Sequence, residues 1–174
     1  MSVSSTSPPA VHALATEASQ LRLTATCLTS ALELVCAHSD ESIETHHHHY
    51  EDWAPAQDSL EEYVVRVAAK SHASPASLIA VAMLLDRWRS RNPGQCQLAT
   101  TNVRKLFLAG LRVATKMLEL RTVHNDSFAA AAGIPTSTMG EIEACFLHEM
   151  DFNVHVLPAA YLQYAALFNA VGGC

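Results

Sequence analysis

Apolar residues recur along this chain at helical spacing, and they are densest between Thr100 and Leu120. That stretch, TTNVRKLFLAGLRVATKMLEL, holds no proline. At about 100° per residue, Val103, Leu106, Phe107, Val113, Ala114, Met117 and Leu118 fill a broad arc, which Leu108, Ala109 and Leu111 widen. A helix apolar over more than half its circumference is one that other helices surround. The segment is therefore expected to be the central helix of an all-α domain. Its polar positions, Lys105, Arg112, Lys116 and Glu119, form a narrow stripe, expected to be its one exposed charged edge.

The flanking segments follow the same logic. Val11, Leu14, Ala18, Leu21, Ala25, Leu28, Leu32 and Val35 alternate steps of three and four. They predict a long amphipathic helix over 10–38, fit to lie across the domain or to pair as a coiled coil. Before it, residues 1–9 are Ser/Pro-rich and expected to be disordered. Residues 39–57 break the period and contain His46 to His49. Adjacent imidazoles cannot all face one ion, and no Cys or Asp stands at a useful spacing. A flexible loop is expected there, and no metal site.

A helix is predicted from Asp58, with Asp58 as cap and Glu61 three residues on. Leu60, Tyr63, Val64, Val67 and Ala68 form its apolar face, with Arg66 off centre. Ser74-Pro75 marks the next start. That helix runs to Arg91, where Asn92-Pro93-Gly94 stops it. Asp86-Arg87 interrupts its apolar second half, as a solvated edge or a buried ion pair. Asn125 or Asp126 caps a compact helix through Ala132, which Gly133 and Pro135 end. The next begins between Thr136 and Thr138, with Met139, Ile142, Phe146 and Met150 inward and Glu143 beside them. Phe152 to Val156 reads as extended, and Pro158 opens a last short helix through Ala170.

At 174 residues and 49% hydrophobic, the chain supports one domain with a sizeable core. Few aromatics and abundant Ala and Leu favour close helix packing. A net charge of −6 without a dense Lys/Arg run gives no basis for binding a phosphate backbone, so no nucleic-acid partner is expected. Five cysteines, an odd count without paired spacing, read as reduced thiols of an intracellular protein of the cytoplasm and/or nucleus. No stretch is apolar for long enough to span a membrane, and the N-terminus lacks the features of a secretory signal. Glycine-rich phosphate loops, nucleophile motifs and paired metal ligands are missing, so neither catalysis nor a cofactor is expected.

The ordered motifs from about Leu60 to Val156 resemble a cyclin box, the five-helix fold of cyclins. The subtype looks like the single-box P- and U-type cyclins, related to the yeast phosphate-pathway cyclin. Leu84-Leu85-Asp86-Arg87 is similar to the second-helix pattern. Asn102-Val103-Arg104-Lys105-Leu106 is similar to the start of the third helix, with Val103 where the family has His. Ala114-Thr115-Lys116 is similar to the Ala-Ser-Lys signature. Asn125, Phe128-Ala129 and Gly133-Ile134 correspond to the fourth helix and its exit. Ile142 to Leu147 and Met150 to Val154 correspond to the fifth helix and its tail. The acidic pair after the signature lysine is reduced to Glu119, and the first helix lacks the substrate-docking pattern of mitotic cyclins.

The resemblance implies a box over 58–156, with a C-terminal helix and tail over 157–174. It implies a non-enzymatic regulatory subunit that activates a cyclin-dependent serine/threonine protein kinase by positioning its αC helix, and that is monomeric when free of it. Lys116 and Glu143 would be the polar groups, and Met117, Leu147 and Val154 the groove lining. Arg66 and Asp86 would form a buried structural ion pair. On the residues alone, Lys116 and Glu143 are better explained by pairing with each other at the surface, worth under about 1 kcal/mol; the ordered motifs shift the reading to the kinase. The alternatives are a helical scaffold associating through the N-terminal seam, or a DNA-binding, transcription-factor-like cyclin fold. The latter predicts basic surfaces and often a zinc ribbon, and this sequence has neither.

Overall fold

In the computed structural model, which describes residues 9–40, 50, 58–91, 97–121 and 123–172, the apolar segment becomes a helix over Val103–Leu118. Counting in chain order, it is α4, after α1 (Pro9–Asp40), α2 (Leu60–Lys70) and α3 (Pro75–Arg91). It precedes α5 (Asn125–Ala132), α6 (Thr136–Glu149) and α7 (Pro158–Gly172). Among the described residues there is no strand, and no helix is long and apolar enough to cross a membrane. The expectations of a disordered start and a loop around His46–His49 lie outside the described residues.

α4 is the hub: α2, α3, α5 and α6 all pack on it. Leu106, Phe107, Leu108 and Leu111 are fully buried, and Tyr63 of α2 meets Phe107 edge-on with centroids 6.1 Å apart. Each such side chain contributes roughly 1.5–3 kcal/mol by leaving water. α1 and α7 sit outside this set. The C-terminal part of the α1 seam is spent inside the domain, with Ala25, Leu28 and Leu32 buried, together with Cys36, where α1 packs on α2, α3 and α7, whereas Ala18 is exposed. α7 packs loosely, and with α1 and α3 it borders an apolar cavity of about 240 Å³.

Two expectations need correction. The polar stripe of α4 is not an exposed edge along its length. Lys105 and Arg112 are only 5% and 6% exposed. α5 and the segment leading into it cover Arg112, whose guanidinium lies 5.0 Å over the Phe128 ring and donates to the Val123 carbonyl at 2.6 Å. Conversely, Met117 and Leu118, counted with the apolar arc, are exposed, because the helix leaves the core in its last turn. The cap of α2 is displaced by one residue. Ser59, not Asp58, accepts from Glu62 N, and Glu62 returns the bond to Ser59 N. Asp58 is committed elsewhere, as described below.

Helix ends are tied to other helices. Ser74 caps α3, accepting from Ser77 N at 3.2 Å. Glu119, just past α4, then accepts from Ser74 N at 2.9 Å and from Ser77 Oγ at 2.6 Å. Burial pushes the Glu119 carboxyl up, but these hydrogen bonds outweigh it and hold the group below its ordinary value. The end of α4 is thereby fixed to the start of α3.

Gly110 tests how tightly the hub is packed. A Cβ placed there would meet Val81 Cγ1 at 3.5 Å, Leu85 Cδ2 at 3.9 Å and Phe146 Cζ at 4.0 Å, all ordinary contacts. Gly110→Ala is therefore expected to gain helix propensity without a clash, about 0.5–1 kcal/mol. Calorimetric melting should rise by about 1–4 °C, and a fall would mean that α3 and α6 cannot accept even a methyl group at this crossing.

Candidate functional site

The last turn of α4 and the second turn of α6 meet at one edge of the molecule. Lys116 Nζ donates to Glu143 Oε1. The two side chains differ sharply in exposure, 44% for Lys116 and 8% for Glu143. Glu143 faces inward because Met139, Ile142 and Phe146 on its helix are buried against α4 and bring it to the boundary. Its second oxygen, Oε2, lies 3.9 Å from Arg112 Nε. A nearly buried carboxylate thus sits between a surface lysine and a buried arginine.

Apolar groups flank the pair. Met117 is 48% exposed beside Lys116, and Leu147 stands one helical turn after Glu143, half-buried against the core. Val154 is also half-buried, in the extended segment after α6. That segment leaves α6 through two left-handed residues, Asp151 at φ 50° and Phe152 at φ 55°. Such a conformation costs about 1 kcal/mol or more per non-glycine residue and needs outside support. Phe152 N bonds back to the Leu147 carbonyl at 2.9 Å, and its ring, 61% exposed, stands edge-on to His148.

Further support comes from Arg91, 3.7 Å from the Asp151 carboxylate, and from Arg87, which sequence reasoning did not assign to the site. Its Nη1 donates to the carbonyls of Asn153 at 2.8 Å and His155 at 3.0 Å, on both sides of Val154. Its neighbour Asp86 accepts from Tyr164 Oη of α7 at 2.6 Å. The Asp-Arg pair is therefore a solvated edge rather than a buried ion pair, but its members are not idle. Each member holds a different part of the C-terminal segment. The signal was present as two adjacent charges in an otherwise apolar half-helix.

The expected Arg66–Asp86 ion pair is not formed. Arg66 bonds Asp58 Oδ2 at 2.5 Å and also donates to the Ala131 carbonyl of α5. Asp86 is 54% exposed and lies 3.7 Å from Arg89. The topology explains this, because α2 presents Arg66 to α5 whereas α3 presents Asp86 to α7. Burial pushes the Asp58 carboxyl up, but the bond and charge of Arg66 outweigh it and leave the group below its ordinary value.

Comparison with known proteins decides the family. Residues 9–154 match the family model described as Cyclin. This chain belongs to the cyclin family. It is similar to plant cyclins of the U and P types. Cyclin-U2-2 of Arabidopsis thaliana is 27% identical over 106 residues, 61% of this chain and 46% of that protein. Cyclin-P4-1 of Oryza sativa subsp. japonica is 28% identical over 112 residues, 64% of this chain and 52% of that protein. The matches cover about half the length of these curated relatives. The all-α architecture agrees with the cyclin fold. The family match begins within α1, well before the box start expected at residue 58.

Two predictions follow from this cyclin's observed ion pairs. In urea unfolding, Arg66→Ala and Asp58→Ala should be non-additive, by at most about 1 kcal/mol because both groups are partly solvated. Arg66→Ala and Asp86→Ala should add, and coupling between them would contradict the geometry. The Asp58 contribution is present above its unfolded-state pKa and is lost as pH falls through the depressed folded value.

Burial, then the bond and charge of Asp86, push the Tyr164 hydroxyl up to about 12 from 10.0. A group raised in this way gives stability that is complete below pH 10.0 and lost as pH rises toward about 12. Phenolate absorbance should contain a late-titrating component that is missing in Tyr164→Phe and shifted partway back in Asp86→Asn. A Tyr164 titration unaffected by Asp86→Asn would refute the contact.

Proposed function

We propose that this cyclin binds and activates a cyclin-dependent serine/threonine protein kinase by holding the kinase's αC helix, and that it has no catalysis of its own. An active kinase needs its strand lysine paired with a glutamate of αC, so a protein that fixes that helix fixes activity. A docking helix offers apolar side chains along one face and, at its ends, N–H and C=O groups without intrahelical partners. The observation that carries this reading is the composition of the α4–α6 edge. Lys116 is an exposed donor and Glu143 a set acceptor; exposed Met117 follows the lysine on α4, half-buried Leu147 lies one turn beyond the glutamate on α6, and we take half-buried Val154 in the segment after α6 to complete the apolar lining.

In the free chain the lysine and glutamate satisfy each other. A pair with one solvated partner is worth under about 1 kcal/mol. Hydrogen bonds between charged groups and a kinase backbone are worth roughly 1.5–3 kcal/mol each, so exchanging one set for the other is favourable. The helical-scaffold alternative loses force because Ala25, Leu28 and Leu32 of the α1 seam it would use are already buried within the chain. We take the free protein to be a monomer, within the cytoplasm and/or nucleus, with no nucleic-acid partner.

The test is calorimetric titration against a panel of purified cyclin-dependent kinases. Lys116→Ala should weaken binding about tenfold or more, with the melting temperature within a few degrees of wild type. Glu143→Ala should weaken binding at least as much. Unchanged affinity for both variants would overturn the proposal.

A further inference from the structure

Opening the Lys116–Glu143 pair toward a partner would strand a carboxylate that is only 8% exposed. A charge so placed needs a counter-charge or it resists the change. We propose that Arg112 is the resident counter-charge of Glu143, a positioning residue that keeps this carboxylate paired and aimed when Lys116 turns away. The inference rests on the kinase reading for the identity of the partner, but not for the pairing itself.

Three observations carry it. First, Arg112 is fixed from behind. Nη1 donates to the Val123 carbonyl at 2.6 Å and the guanidinium lies 5.0 Å over the Phe128 ring, so α5 anchors the cation. Second, its buried Nε has no hydrogen-bond acceptor, an unusual state for such a donor. Third, the atom facing that Nε is Glu143 Oε2 at 3.9 Å, whereas Lys116 holds Oε1. The carboxylate is straddled by two cations through different oxygens. A movement of about 1 Å toward Nε would bring Oε2 to hydrogen-bond length. Departure of Lys116 therefore exchanges one charged hydrogen bond for another. Burial lowers the guanidinium's basicity and the charge of Glu143 restores part of it, which agrees with this pairing. Lys116 is then the exchangeable partner and Arg112 the permanent one.

The test uses the full chain. Urea unfolding is measured for Arg112→Met, Glu143→Gln and their double variant, with Lys116 present and again in Lys116→Ala. In the Lys116→Ala background the double variant should unfold near the midpoint of the worse single variant. The same cycle with Lys116 present should show weaker coupling. Arg112→Lys should retain most of the midpoint that Arg112→Met loses, which bulk and packing alone would not give. Strictly additive losses in both backgrounds overturn the inference. In kinase titrations, Arg112→Met should weaken binding about tenfold with Glu143 present and leave it unchanged in Glu143→Gln. Equal weakening in both backgrounds would mean that Arg112 acts through the fold alone and would likewise overturn it. A wild-type chain that binds no kinase would refute the kinase reading alone, and the unfolding cycle would still decide the role of Arg112.

Discussion

From Val103 to Thr115, α4 buries every side chain except the half-buried Arg104. That single constraint orders the molecule. A helix with no free face needs α2, α3, α5 and α6 around it, and it leaves the core only in its last turn. The first exposed positions, Lys116, Met117 and Leu118, are therefore forced to the same place. There α6 brings Glu143 to the boundary. The candidate binding edge is thus a consequence of how the hub helix ends, and the tie from Glu119 to Ser74 and Ser77 fixes where it ends.

The polar groups around the hub divide the remaining work. Arg112 joins α4 to α5 and α6. Arg66 joins α2 to α5 through the Ala131 carbonyl. Arg87 and Asp86 hold the C-terminal segment, one through backbone carbonyls beside Val154 and the other through Tyr164. Arg112, Arg66 and Arg87 each reach across from their own helix to donate to a backbone carbonyl, while Asp86 accepts from a side chain of another helix. The strained exit at Asp151 and Phe152 is held by this scaffold, so Val154 is positioned by α3 as well as by the backbone bonds of its own segment.

How far the sequence determined this can be traced residue by residue. The helix pattern was legible because apolar spacing, Ser74-Pro75 and Gly133 are local signals, and they placed the central helix within a few residues. The pairing of Lys116 with Glu143 was open to either interpretation, since spacing says which face a residue occupies and not what faces it. The partner of Arg66 was misjudged because Asp86 was carried over from the family resemblance and Asp58 was read only as a helix cap, whereas the packing of α2 on α5 and of α3 on α7 separates Arg66 from Asp86. Arg112 was taken for a solvated residue because charge in a helical stripe usually marks water. Its burial depends on α5 and Val123, whose placement the periodicity of α4 cannot reveal.

The central claim is that the end of α4, the exposed side of α6 and the segment around Val154 form one binding edge for a kinase. Amide hydrogen exchange of the chain with and without a bound cyclin-dependent kinase tests it most directly. New protection should fall on the last turn of α4, on α6 and on residues 150–157, with α1 and α7 exchanging as in the free chain. Protection confined to α1 and α7, with the α4–α6 edge unchanged, would contradict the account.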